Sequence, residues 1–251
     1  GAPSPQTLGA TSYQFTSWSD AGAASHVITT PAAGSNLTAT FGAMAATSVP
    51  GPAAGGWTLN GSAKVTAGLL ELTPTTPTNQ TGTAIWPTPV PTQNLTIDTD
   101  ITIGGGTGGA DGMTIALLDP TTPNTAIGTG GGGLGYSGLT GVAIALDTYQ
   151  NWNATWTAAI DPSSNFAGIS TSGTGDHLNW TTTATNIPNL RTGTHHLTIT
   201  TAGGHLIVKI DNTTYLDTTT ALPPTAKLAF TGATGDSTDR HAVGTTTITA
   251  A

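Results

Sequence analysis

Residues 196–211 read HLTITTAGGHLIVKID. Leu197 and Ile199, then Leu206, Val208 and Ile210, recur at every second position with polar residues among them. Successive side chains of a strand point to opposite faces, so period two marks a strand with one buried face. Ala202, Gly203 and Gly204 stand between the two runs, and glycine reaches the positive φ that a tight turn between paired strands demands. The stretch therefore predicts an antiparallel hairpin.

Similar runs recur to either side. AKVTAGLLELT (63–73) hinges at Gly68 and reads as a second hairpin, and LTIDTDITI (95–103), GMTIALLD (112–119), VAIALDTY (142–149), AKLAFTGAT (226–234) and AVGTTTITA (242–250) continue the series. No amphipathic helical window interrupts them, and a composition rich in Thr, Gly, Ala and Pro favours strands and turns over helices. Strands of this length and spacing predict an all-β protein, an antiparallel two-sheet sandwich. Three further strand-like runs, YQFTSWSD (13–20), HVITTP (26–31) and NLTATF (36–41), lie ahead of it. They are too short to enclose much of a core, so residues 1–43 read as the tail of a small β-module. Residues 44–56, with their Pro and Gly, read as a linker or lead-in loop, and residues 57–251 as the sandwich domain.

Thirteen acidic residues against five basic ones give a net charge of −8, which argues against nucleic acid, since a polyanion requires a basic footprint. The absence of cysteine excludes disulfides and thiolate metal sites. No run of eighteen apolar residues occurs, so no membrane insertion is expected. GAPSPQTLGA at the N-terminus has neither a basic region nor an apolar core, and it reads as a cut within a longer multidomain chain.

The acidic residues are few, yet two of them flank one loop: Asp147 and Asp161, with Tyr149 and Asn151 following the first at period two. Calcium takes about six to eight oxygen ligands from carboxylates, amides, main-chain carbonyls and water. A strand end that turns into a loop can bring the Asp147 carboxylate, the Tyr149 carbonyl and the Asn151 amide oxygen to one point, with Asp161 closing the ring. The alternative is that all four are turn-formers, a common use of Asp and Asn. The glycine run GTGGGGLGY (128–136) lacks the strand–loop–helix context of a phosphate cradle. Asp98 and Asp100 share one strand face and read as a solvated pair. His195 and His196 point to opposite faces and cannot easily share an ion, so one is expected buried and the other solvent-facing; His241 is expected to fix the loop beside it. Trp152, Trp156 and Trp180 are either stacking platforms for a ligand or core residues.

Six pieces, in order, carry a resemblance: ADGMTIALLD (110–119), GGGLGY (131–136), VAIALDTYQN (142–151), DPSSNFAGIS (161–170), NLRTGTHHLTI (189–199) and AFTGATGDSTDRHAV (229–243). Together they make residues 57–251 resemble the legume-type (L-type) lectin domain, a flattened concanavalin A-like sandwich, in its bacterial secreted form. Residues 1–41 resemble the end of a small bacterial extracellular β-module. The lectin resemblance implies one calcium ion held by Asp147, the Tyr149 carbonyl, Asn151 and Asp161. It implies carbohydrate binding by Asp111 after a cis Ala110–Asp111 peptide, by the Gly132 amide (or Gly131, one residue away), by the Tyr149 ring and by Asn151. The last specificity loop falls on 234–238, with Gly235 and Asp236. Plant members add a glutamate two residues before the first aspartate and a histidine five after the second, for a transition metal. Ala145 and Phe166 stand there, so calcium is expected without a transition metal, as in animal cargo-receptor lectins. Hydrolases of the same sandwich class need two facing carboxyl groups and place closely spaced glutamates on one strand, whereas Glu71 is the only glutamate in this chain. The expectation is a non-enzymatic, calcium-dependent lectin domain of an extracellular or cell-surface protein, with a glycan as partner; the alternative is a structural or adhesive domain that keeps the fold without the sugar.

Overall fold

The computed structural model describes residues 1–4, 6–8, 11–29, 31–43, 46–152, 157 and 160–251. Three strands come first, β1 (Gln6–Leu8), β2 (Thr11–Trp18) and β3 (Ala39–Ala43). They are followed by β4 (Thr47–Pro50), β5 (Thr58–Gly61), β6 (Lys64–Thr66), β7 (Leu69–Thr73), β8 (Thr81–Ile85) and β9 (Val90–Pro91). The long β10 (Leu95–Gly104) leads to β11 (Gly112–Leu118) and β12 (Gly141–Asp147). Then come two hairpin partners, β13 (Phe166–Thr174) and β14 (His177–Ala184), and the meander β15 (Thr194–Ala202), β16 (His205–Ile210) and β17 (Thr213–Thr219). β18 (Thr225–Ala233) and β19 (Arg240–Ala250) close the chain.

Two large antiparallel sheets form the sandwich. The back sheet runs β17-β16-β15-β10-β19-β7-β6, with β4 also paired to β19. The front sheet runs β14-β13-β12-β11-β18-β8-β5, with β9 also paired to β18. Their facing sides meet in one core built from Leu72, Ile97, Ile101, Met113, Ile115, Ile144 and Phe230, among others. The expected hairpin is present: Ala202 pairs with His205 around Gly203 and Gly204, whose φ values are 59° and 84°. Ala67 and Gly68, at φ 49° and 77°, turn β6 into β7 in the same way.

The two sheets differ in their outer faces. β10 alternates buried and half-buried residues along its whole length, as a sheet with one wet face requires. β11 is buried throughout. A second apolar cluster covers the outer side of the front sheet, where Leu134 and Tyr136 of the glycine-rich loop pack on Ala116, Leu118, Ala143, Ala145 and Ala229. The small side chains in the middle of β11, β12 and β18 leave the depth that this loop fills.

β1, β2 and β3 make a separate three-stranded sheet. The expected strand over 26–31 is absent: its described residues form no strand, and the third strand is Gln6–Leu8 instead. The alternation in HVITTP has nothing to bury against, since Val27 is 96% exposed. Within 44–56, expected as a linker or lead-in loop, β4 pairs with β19 through Ser48↔Thr249 and buries Val49 in the sandwich core. β5, β8, β13, β14 and β17 were not among the strands the alternation predicted. Their Thr, Ser, Gly and Asn content hides the period.

Candidate functional site

Strand pairing alone gathers the expected residues. Gly112 at the start of β11 is the ladder partner of both Asp147, the last residue of β12, and Ala233, the last of β18. Ala233 pairs in turn with Thr81 at the start of β8, and Asp147 with Phe166 at the start of β13. The segments around 79–80, 110–111, 148–151, 161–165 and 234–238 therefore leave the front sheet at one end.

Asp111 is held on both sides. Its N–H donates to the Ala233 carbonyl at 2.9 Å, and its own carbonyl accepts the Thr148 N–H at 2.9 Å. The Ala110–Asp111 peptide is cis, as the resemblance implied. Gly112 follows at φ 153°, where a Cβ would lie 2.4 Å from the Leu146 carbonyl, so no other residue fits. The Asp111 side chain is buried, and its Oδ1 has no hydrogen-bond partner. Burial pushes this carboxyl up to about 6, against the lowering pull of the Asn151 amide and the Gly235 backbone.

The acidic loop closes on itself. Asp147 is fully buried; its Oδ1 accepts the Tyr149 N–H at 3.0 Å, while its Oδ2 has no partner. Asp161 Oδ2 accepts the Asn151 N–H at 2.8 Å, and the Asn151 carbonyl accepts the Ile160 and Asp161 N–H groups. Asn151 Oδ1 is buried and unpartnered. Burial, and then the nearby Asp161, raise the Asp147 carboxyl well above the carboxylate range. Burial also raises Asp161, opposed by the Asn151 N–H and the Trp180 indole. Buried polar atoms are nearly always satisfied in folded proteins. Three acceptor oxygens without donors, on Asp111, Asp147 and Asn151, in one group of loops, are therefore the site's defining feature. Among the described residues no three His, Asp or Glu side chains cluster as a metal-ligating set. A cation here would take two carboxylates, with an amide oxygen, a carbonyl and water as the remainder, which is the donor mixture hard divalent cations accept. The residues fit calcium.

A cleft of 460 Å³ opens beside this loop and is lined by Asp111, Gly132, Tyr149, Asn151, Gly235 and Asp236, all six of the residues expected to touch a ligand. A Cβ on Gly132 would lie 2.6 Å from Asn151 Cγ and Oδ1, whereas at Gly131 it would meet nothing. Asn79 and Asp176 also line the cleft and were not foreseen. Both lie in turns, and only the strand pairing shows which turns meet; Asn79 N–H, for instance, donates to the Gly235 carbonyl at 2.9 Å.

Several other expectations resolve. Trp152 does not line the cleft and is 41% exposed; Trp156 lies outside the described residues. Trp180 does not line it either, and its indole N–H donates to Asp161 Oδ1 at 2.8 Å. Ala145 and Phe166 stand on the same side of the sheet as Trp180, with Ala145 opposite Gly168 on β13. His195 is buried against Asp211 and the Asn189 carbonyl, while His196 lies half-exposed beside Asp100 and Asp98. The loop 234–238 is tied down by Asp239 more than by His241: Asp239 takes two bonds from Arg191, at 2.6 and 3.1 Å, and one from Gly106 N–H at 3.0 Å.

No family model matches this sequence, and no curated protein matches it. Solved structures do. The exoplasmic/lumenal domain of VIP36 in its Ca2+/Man-bound form superposes with a TM-score of 0.61 at 20% identity, over 77% of this chain and 82% of that one. Basic winged bean lectin with Tn-antigen gives 0.61 at 24% identity, over 78% and 92%. Lectin I-B4 from Griffonia simplicifolia, in a metal-free form, gives 0.62 at 19% identity, over 77% and 92%. The chain has the legume-lectin fold. At these identities the likeness concerns the sandwich, and the chemistry of the cleft rests on its own residues.

Proposed function

We propose that this chain is a calcium-dependent carbohydrate-binding domain without catalytic activity. The observation that carries the reading is the set of buried oxygens without donors, Asp111 Oδ1, Asp147 Oδ2 and Asn151 Oδ1, of which Asp111 and Asn151 also line the cleft. Asp147, Asp161, Asn151 Oδ1 and the Tyr149 carbonyl would hold calcium, which supplies the positive charge that lets two buried carboxylates stay ionised side by side. Asp111 is then the acceptor for sugar hydroxyls, an ionised group whose hydrogen bonds are the stronger kind. The Gly132 N–H and the Asn151 Nδ2 donate to the sugar, and the Tyr149 ring offers an apolar face for it to lie on. Because the groups are fixed by sheet ends and by the closed loop, little ordering is left to the moment of binding.

The bound forms of VIP36 with Ca2+/Man and of the winged bean lectin with Tn-antigen support this reading by analogy of fold. So does the engagement of Glu71, the one glutamate, with Arg240 at 2.7 Å and Lys64 at 3.1 Å, away from the cleft. We further place the domain outside the cell or at its surface, within a longer chain of the bacterial secreted kind, on the motifs quoted above. A glycan array run with calcium and with chelator tests the reading. Calcium-dependent binding that Asp111→Asn abolishes without changing the melting temperature by more than about 2 °C, less than about 1 kcal/mol for a domain of this size, is the expected result. Calcium uptake with no glycan bound would assign the fold a structural or adhesive role instead.

A further inference from the structure

Asp161 reaches the cation loop from a turn, and a carboxylate on a turn needs partners to keep one orientation. One partner is local: the Asn151 N–H on Oδ2, at 2.8 Å. The other comes from β14, the Trp180 indole N–H on Oδ1, also at 2.8 Å. A carboxylate oxygen has two lone pairs, so each can accept its hydrogen bond and still face a cation.

The placement of that indole is built into the sheet. Trp180 pairs with Ser170 across the β13–β14 ladder, between two register shifts that flank Ser170. Its ring lies over Gly168, where a Cβ would stand 2.7 Å from Cε3 and 2.9 Å from Cζ3. On a second side the fully buried Phe166 meets it edge-on, with ring centroids 4.9 Å apart at 86°. Phe166 and Gly168 lie two residues apart on one face of β13, so a large residue and a missing side chain together form a slot the width of an indole. Only the N–H edge reaches Asp161.

We infer that Trp180 is a positioning residue for the cation site: it fixes the rotamer of Asp161 through its indole N–H, and so sets calcium affinity without touching the ion. The inference rests on the calcium reading above. Outer hydrogen bonds to metal-ligating groups are worth roughly 10- to 100-fold in affinity, and a neutral donor orients a carboxylate while leaving its charge for the ion.

The test is calcium titration by calorimetry on wild type, Trp180→Phe and Trp180→His. The phenyl ring keeps much of the packing and has no donor; imidazole restores an N–H. W180F is expected to bind calcium roughly 10- to 100-fold more weakly, with W180H recovering part of the loss. A W180F protein that melts lower in chelator yet binds calcium as tightly as wild type would make Trp180 a packing residue only and overturn the inference. No calcium binding by wild type would overturn the calcium reading itself, and this inference with it. Should W180F fail to fold, the wild-type Trp180 indole proton, followed by NMR, replaces it. A shift on calcium saturation is expected because Asp161 then shares its charge with the ion, and an unmoved resonance overturns the proposal.

Discussion

Asp147 combines deep burial with like charge. It is fully buried, Asp161 and Asp111 both repel its charge, and one of its oxygens has no donor. An isolated buried charge is costly, and removing it can stabilise. Asp147→Asn should therefore melt above wild type in chelator at pH 7, by about 3 °C if the gain is about 1 kcal/mol in a domain of this size. In saturating calcium the order should reverse, because wild type gains about 2.7 kcal/mol when free calcium is 100-fold over its dissociation constant. Thermal scans of both proteins under both conditions check this crossing; parallel behaviour would remove Asp147 from the ligand set. The Asp147–Tyr149–Asn151 spacing was legible in sequence because it continues a strand's period past its end. Trp180 was not. Its partner, Asp161, lies nineteen residues away, and the slot between them depends on a glycine and two register shifts that no periodicity announces.

Strands were legible where one face is wet and the other carries large apolar residues at every second position. β10, β15 and β16 meet that condition, with Ile97, Ile101, Leu197, Ile199, Leu206 and Val208 all on the core side. β14 and β17 do not, since their Thr-rich runs are half-exposed at sheet edges. β4 is the instructive miss. Four residues, two of them Ser and Pro, carry no period, yet Val49 is 2% exposed and the Trp57 indole N–H donates to the Pro50 carbonyl at 2.8 Å. We place the start of the cooperative domain at residue 46 on that basis. A protein beginning at Ala46 should melt with the full chain, whereas one beginning at Trp57 should lose about 5–10 °C. Burial of one valine is worth about 1.5–3 kcal/mol, and the ladder adds to it. Equal melting of the two truncations would return the boundary to Trp57.

The sandwich as a unit has an acid-sensitive joint at His241. His241 on β19 is fully buried, with Nδ1 at 2.6 Å from Thr73 Oγ1 on β7 and Nε2 unpartnered, and its Cβ faces Gly232 of the opposite sheet. Burial lowers it from 6.5 to about 4, which the Asp239 carboxylate only partly opposes. Below pH 6.5 the unfolded chain takes up a proton that the fold refuses, so stability present at neutral pH is lost as pH falls towards 4. The loss from this group approaches about 3 kcal/mol, and a His241→Gln protein should show a correspondingly flatter stability curve between pH 6.5 and 4 by denaturant titration. The same slope in both would place the acid sensitivity elsewhere.

The back sheet's uncovered outer face has a use that the cleft does not exhaust. Thr214 on β17 is exposed and pairs with Lys209, on the side of the sandwich turned away from the glycine-rich loop. The chain contains no cysteine, so a thiol introduced there would be the molecule's sole point of covalent attachment. Coupled through it to a sensor chip or a bead, every copy would stand with its binding loops towards the solution, and glycan capture could be read from a uniformly oriented layer.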